Sequence, residues 1–167
     1  MCIRDSTDGE VSTFLRDHIA IGDSVDATLA AGNLVLHEGD NPVVLVSSGI
    51  GSTPMVGMLS HLAAEERNRK VTYIHADTNE ESWAQREESR NLTAAIADAT
   101  MDVFFRDAGQ RINIADYDLA GADVYLCGGV AFLQALRADI EALPSDKSPK
   151  GVYFELFSPC LLYTSPS

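Results

Sequence analysis

Val43-Val44-Leu45-Val46-Ser47-Ser48-Gly49-Ile50-Gly51-Ser52-Thr53-Pro54-Met55 is the stretch that decides the fold. Its opening run is aliphatic, mostly β-branched and unbroken, as in a strand buried on both faces. Beyond Pro54, the apolar residues Met55, Met58, Leu59 and Leu62 recur at helical spacing. The glycines between the two runs therefore mark a turn from strand into helix. Glycine lets such a turn fold tightly and lets a ligand approach its backbone, while free amides at the helix start attract negative charge. Thr53 is expected to cap the helix, with Pro54 in its first position, where a missing N–H costs nothing. A pyrophosphate suits the turn made by Gly49, Ile50, Gly51, Ser52, Thr53 and Pro54.

Outward from this turn, strands and helices alternate. Short apolar runs at 43–46, 71–74, 103–105, 124–126 and 152–156 read as buried strands. Helical patterns lie at 55–67, at about 82–97 and at 131–143. Such alternation predicts an α/β domain, a five-stranded parallel sheet with helices on both faces, which binds ligands outside the carboxyl ends of its strands. Upstream, a helix is expected at 11–18, then apolar runs at 25–29 and 34–36 broken by Gly32-Asn33. These read as the remnant of a β-rich domain, separated from the sheet by the turn-rich Glu38-Gly39-Asp40-Asn41-Pro42.

The ends stand apart. Residues 1–6 and 160–167 resemble translated sequencing-adapter read-through and are expected to be foreign to the fold. That leaves 7–40 as the remnant and 41–159 as the sheet domain, with the natural protein expected to extend beyond both limits.

Composition narrows the function classes. At 167 residues and 46% hydrophobic content the chain can bury an ordinary globular core. Its net charge of −13 argues against nucleic acid or anionic membrane as a partner. No run approaches the roughly 18 apolar residues that cross a bilayer, and no signal-peptide pattern opens the chain, so the expected compartment is the cytoplasm. Cys2, Cys127 and Cys160 are odd in number and widely spaced, as reduced thiols are, and His18, His37, His61 and His75 lack ligand spacing. No metal site is expected. Hydrolase chemistry is disfavoured, because no serine occupies a Gly-x-Ser-x-Gly elbow.

A second backbone-exposing turn, Cys127-Gly128-Gly129, follows the fourth strand and opens another helix. It would project at the same sheet edge as the first. By spacing alone the pair is either a frame for one ligand or two ordinary turns. Cys127 is either a core thiol or a small polarizable wall beside a ligand. Asp77 lies 26 residues after Gly51 (77 − 51), either as a loop acid or where a carboxylate commonly meets a ribose hydroxyl.

Taken together, residues 46–55, Tyr125-Leu126-Cys127-Gly128-Gly129 with Phe132, and Glu155-Leu156-Phe157-Ser158-Pro159 resemble the nicotinamide-binding lobe of the ferredoxin-reductase superfamily. Within it they are most similar to the reductase end of flavohaemoglobins, the nitric oxide dioxygenases. Residues 9–15 resemble the family's flavin-phosphate segment, and His75-Ala76-Asp77-Thr78-Asn79 its motif after the second strand.

The resemblance implies NAD(P)H and FAD as cofactors, with haem in a globin domain outside this chain, and a partial flavin-binding β-barrel before the sheet. Gly9, Val11 and Ser12 would meet the flavin diphosphate, although Ser12 could simply cap its helix. Cys127 would position the nicotinamide without attacking it. Phe157 would cover the flavin, and Glu155 would be the acid between flavin and haem; the two are expected to face opposite ways on the last strand, or to be an ordinary buried Phe and solvated Glu. Asp77 favours NADH by repelling a 2′-phosphate, whereas Arg106 matches an arginine that holds that phosphate in related reductases. The implied activity is hydride transfer to flavin and electron delivery to haem, complete only with the missing domains. The alternatives are a reductase feeding an iron-sulfur protein or oxygenase, and a non-catalytic NAD(H)-binding module.

Overall fold

The computed structural model describes residues 10–26 and 32–156, with backbone only for Glu10, Val11 and Ser12. The chain divides into two units, one of them Asn33–Phe157. The other contributes one described element, the helix α1 (Glu10–His18), where the apolar pattern predicted it. Gly9, Phe157 and the two terminal stretches expected to be foreign lie outside the described residues.

The Asn33–Phe157 unit carries the five expected strands: β1 (Val43–Ser48), β2 (Val71–Asp77), β3 (Ala99–Phe105), β4 (Asp123–Gly128) and β5 (Gly151–Leu156). They form a wholly parallel sheet in the order β3-β2-β1-β4-β5. The chain winds from β1 outward to β3, then crosses back to the far side of β1. The winding direction reverses between β1 and β4, and in open α/β sheets ligands bind at such a reversal.

Three helices cover the sheet: α2 (Ser52–Glu65), α3 (Arg86–Ala94) and α4 (Val130–Glu141). Alternate residues of each strand serve opposite faces. Val43, Leu45, Tyr73, Tyr125 and Cys127 pack with Met55, Leu59 and Leu62 of α2. Val44, Val46, Ile74, Val124 and Leu126 pack with Leu133, Leu136 and Ile140 of α4. Burying a Leu or Val fully contributes about 1.5–3 kcal/mol, so two filled faces explain why β1 and β4 read as unbroken apolar runs.

Two local expectations shift. The helix expected over 82–97 is confined to Arg86–Ala94, because Asn79 and Ser82 exchange hydrogen bonds between backbone amides and side chains while Trp83 is buried against His75. The 34–36 run forms no strand. Leu34 and Leu36 instead pack on the α2-side core, and the His37 amide donates to Tyr125 Oη at 2.8 Å. Arg69 holds the same approach: Nε donates to the Asn41 carbonyl at 2.7 Å, Nη1 to the His37 carbonyl at 3.0 Å, and Nη2 lies 3.5 Å from Asp123 Oδ2.

Candidate functional site

β1 runs extended to Ser48, and Gly49 then turns the backbone left-handed at φ +52°. Only glycine takes that conformation without strain, and the space where its Cβ would lie is open. A 3₁₀ turn over Gly49–Gly51 leads into α2 at Ser52. This corrects the expected capping. No side chain caps α2; the Thr53 hydroxyl donates back to the Ile50 carbonyl at 2.9 Å, and Pro54 is the third helical residue, still within the turn whose amides lack helical partners. The Ser52 amide is engaged by the Gly49 and Ile50 carbonyls, and its buried hydroxyl donates to Gln85 Oε1 at 2.7 Å. Amides open to an anion therefore lie earlier, at Gly49 and Ile50.

Gly51 has another task. It is buried with ordinary helical angles, and a Cβ there would sit on the Cys127 carbonyl, 2.6 Å from its carbon and 3.0 Å from the Gly128 nitrogen. The first turn thus presses directly on the second. Gly128 is equally confined, since a Cβ would meet Ser48 Oγ at 2.5 Å and the Phe132 ring at 2.7 Å. Gly129 has nothing near its Cβ position and starts α4.

Beside these turns, on the α4 side, lies a cavity of about 410 Å³ whose wall includes Ser48, Gly49, Asp77, Arg106 and Arg111. Phe104, Ile112, Phe132 and Leu136 supply its apolar surface. Arg106 Nη2 donates to Thr78 Oγ1 at 3.0 Å. Asp77, with its side chain 8% exposed, accepts at Oδ1 from the Thr78 amide at 2.6 Å and the Ser82 hydroxyl at 2.5 Å. It holds its own turn and offers the cavity only an edge.

Cys127 lies on the opposite face and is fully buried in the α2-side core. Burial first, and the Glu155 carboxylate second, push its thiol pKa up to about 12, so it carries no thiolate near neutral pH. Glu155 sits in register with Cys127 on β5 and is exposed. β5 is described only to Leu156. Residues two apart on an unbroken strand share a face, so alternation gives no ground for the expectation that Glu155 and Phe157 point opposite ways, and Phe157 itself lies outside the described residues.

Residues 45–138 match the Oxidoreductase NAD-binding domain family, and that span contains both turns and all of the cavity wall but Asp139. The chain belongs to this family. It is also 31% identical, over 171 residues and 92% of its own length, to a flavohemoprotein of Bacillus subtilis (strain 168), of which it spans 42%. Among solved structures it resembles the flavohem-like FAD/NAD-binding domain of nitric oxide dioxygenase from Vibrio cholerae O1 biovar El Tor, at TM-score 0.75 and 27% identity, covering 93% of this chain and 69% of that one. The fold alone is shared with phthalate dioxygenase reductase, at TM-score 0.66 and 24% identity over 88% of this chain and 45% of that one.

Within this NAD-binding domain the structure brings Gly49, Asp77 and Arg106 to one cavity and Gly51 to Cys127 and Gly128. Gly9, Val11, Ser12 and Phe157 have no side chain described. Sequence reasoning missed Arg111 and the apolar wall. The available signal was a second arginine close behind β3 in a chain this acidic, together with Phe132 in the first turn of α4. Among the described residues, no helix is long and apolar enough to cross a membrane.

Proposed function

We propose that this chain is the nicotinamide-binding part of an NAD(P)H-dependent flavin oxidoreductase that passes electrons to a haem, as in flavohaemoglobin nitric oxide dioxygenases. The observation that carries the reading is the convergence of the Gly49–Gly51 and Cys127-Gly128-Gly129 turns at the β1/β4 reversal, beside a cavity lined by two arginines. The cavity has apolar walls for an adenine ring, and the open amides of Gly49 and Ile50 suit a diphosphate. From there the other half of a dinucleotide would cross the sheet edge toward Cys127 and Glu155. The family match and the flavohemoprotein relatives support the same assignment.

In this reading NAD(P)H supplies a hydride, which FAD accepts and hands on as single electrons. The residues of this chain bind and orient. Gly49 and Ile50 hold the diphosphate, Arg106 and Arg111 face the adenosine end, and the protonated Cys127 adds bulk without charge beneath the nicotinamide. Gly9, Val11 and Ser12 would hold the flavin diphosphate, with Phe157 over the flavin and Glu155 toward the haem; these roles rest on the resemblance. The flavin ring, the globin haem and the conversion of nitric oxide belong to the portion that the relatives have and this chain does not span. The flavohemoprotein similarity favours haem over an iron-sulfur acceptor.

Binding tests the reading directly. NADH fluorescence titrated with the 167-residue chain should saturate, and ADP-ribose should compete. Gly49→Val, which forces a β-branched residue to φ +52°, should weaken both ligands by at least about tenfold. A wild-type chain that binds neither ligand would refute the assignment.

A further inference from the structure

His75 is fully buried on β2, with its imidazole stacked on Trp83 at a centroid distance of 5.1 Å. Its Nδ1 lies 2.8 Å from Ser47 Oγ, and Ser47 Oγ lies 3.2 Å from Tyr73 Oη. On the other side, Nε2 is buried without a close hydrogen-bond partner and faces Asp77 Oδ2 at 3.5 Å. One proton arrangement satisfies this chain. Tyr73 O–H donates to Ser47, Ser47 O–H donates to Nδ1, and Nε2–H points at the carboxylate. The other tautomer would aim a nitrogen lone pair at Asp77. Burial outweighs the pull of Asp77 and lowers the His75 pKa, so the ring is neutral near neutral pH.

Asp77 passes this orientation onward. Its Oδ1 holds the Thr78 amide and the Ser82 hydroxyl, Thr78 Oγ1 receives Arg106, and the Thr78 carbonyl receives the Asp107 amide at 3.0 Å. We propose that His75 is a positioning residue for the dinucleotide cavity: through Nε2–H it fixes Asp77 Oδ2, and thereby the turn carrying Thr78 and Arg106, in the arrangement that receives the adenosine half. This rests on the cavity being the dinucleotide site. His75 touches no ligand, and its effect passes entirely through the carboxylate.

The test is a double-mutant cycle in the full 167-residue chain with NADH and ADP-ribose as probes. His75→Leu should raise the Kd for NADH about tenfold, and for ADP-ribose, which lacks the nicotinamide, by the same factor. Adding it to Asp77→Asn should cost nothing more, and His75→Gln, which retains an N–H donor, should restore most of the affinity. Effects that multiply across the cycle, or unchanged NADH binding by a folded His75→Leu chain, would overturn the assignment. Nitrogen-15 NMR of the wild type reads the proton position without any variant having to fold: an Nε2–H tautomer supports the proposal and an Nδ1–H tautomer overturns it. A wild type that takes up no NADH refutes the cavity reading itself, whereas a binding wild type with a multiplicative cycle refutes only the role of His75.

Discussion

Gly51→Ala separates two reasons for a glycine at this turn. Gly51 has φ −60° and ψ −7°, which alanine adopts freely, so by backbone preference alone the substitution should stabilise the chain by about 0.4–1 kcal/mol. The packing opposes this. The new methyl would overlap the Cys127 carbonyl oxygen and lie 2.6 Å from its carbon, whereas ordinary contact begins near 3.4 Å, so the two turns must separate by more than about 0.8 Å (3.4 − 2.6). Both neighbours are backbone, one at the end of β4 and the other at the start of α2, and neither can rotate away. Overpacking costs about 1–3 kcal/mol, and a backbone clash this short falls in the upper part of that range, about 2–3, which leaves a net loss of about 1–2.6 kcal/mol (2 − 1 to 3 − 0.4). For a chain of this length that lowers the thermal midpoint by about 2–10 °C. Far-UV circular dichroism melts would read it, with Gly57→Ala as the control. Gly57 is exposed in α2 with nothing within 4 Å of its Cβ position, so alanine there should raise stability by about 0.8–1 kcal/mol. If Gly51→Ala melts at or above wild type, the contact with Cys127 does not constrain the turn. An unchanged midpoint with lost NADH binding would return Gly51 to the ligand.

Four further outcomes follow from the same geometry. The buried Cys127 thiol should resist iodoacetamide at pH 8 until the chain unfolds; a modified Cys127 peptide from the native protein, told apart from those of Cys2 and Cys160 by mass spectrometry, would contradict its burial. Its unfolded pKa is 9.0 and its folded pKa about 12, so the unfolded chain releases the proton first: this contribution is complete below pH 9 and is lost as pH rises toward 12, a slope that Cys127→Ala should flatten in urea titrations. Arg69→Met should cost at most about 3–5 kcal/mol in urea unfolding, because it removes the guanidinium that faces the buried Asp123 carboxylate and leaves that group only the Asn41 side-chain amide at 3.0 Å, and Arg69→Met with Asp123→Leu should recover part of the loss. Arg106→Ala should weaken NADPH about tenfold more than NADH, since only the former carries a 2′-phosphate for the guanidinium; an equal effect on both would leave Arg111 or Asp77 to set cofactor choice.

The five strands and their parallel arrangement were legible because burial on both faces demands apolar runs, and those runs are short, separate and bounded by turn residues. The two glycine turns were legible for the same reason. What each glycine does was not. Gly49 answers to a backbone angle and Gly51 to a neighbour 76 positions away (127 − 51), and sequence spacing treats them alike. The shortened α3 escaped because Asn79, Ser82 and Trp83 are committed by contacts to one another and to His75, which helix propensity does not register. Arg111 escaped because it enters the cavity from an irregular segment with no period to follow. Asp77 was found in place, yet its carboxylate is largely occupied by its own turn.

Strand parity has a practical consequence for redesign. Ser48, Ala76 and Phe104 are even-numbered and border the adenosine-side cavity, whereas Cys127 and Glu155, at the other end of the proposed ligand path, are odd. With the odd-numbered pair His75 and Asp77 held fixed, since Asp77 reaches the cavity at the end of β2 and His75 faces its carboxylate, the remaining even positions could be varied as one library and the odd ones as another, because the sheet itself is the partition. A single-residue insertion within β1 would undo that separation, turning every later side chain of the strand toward the wrong compartment.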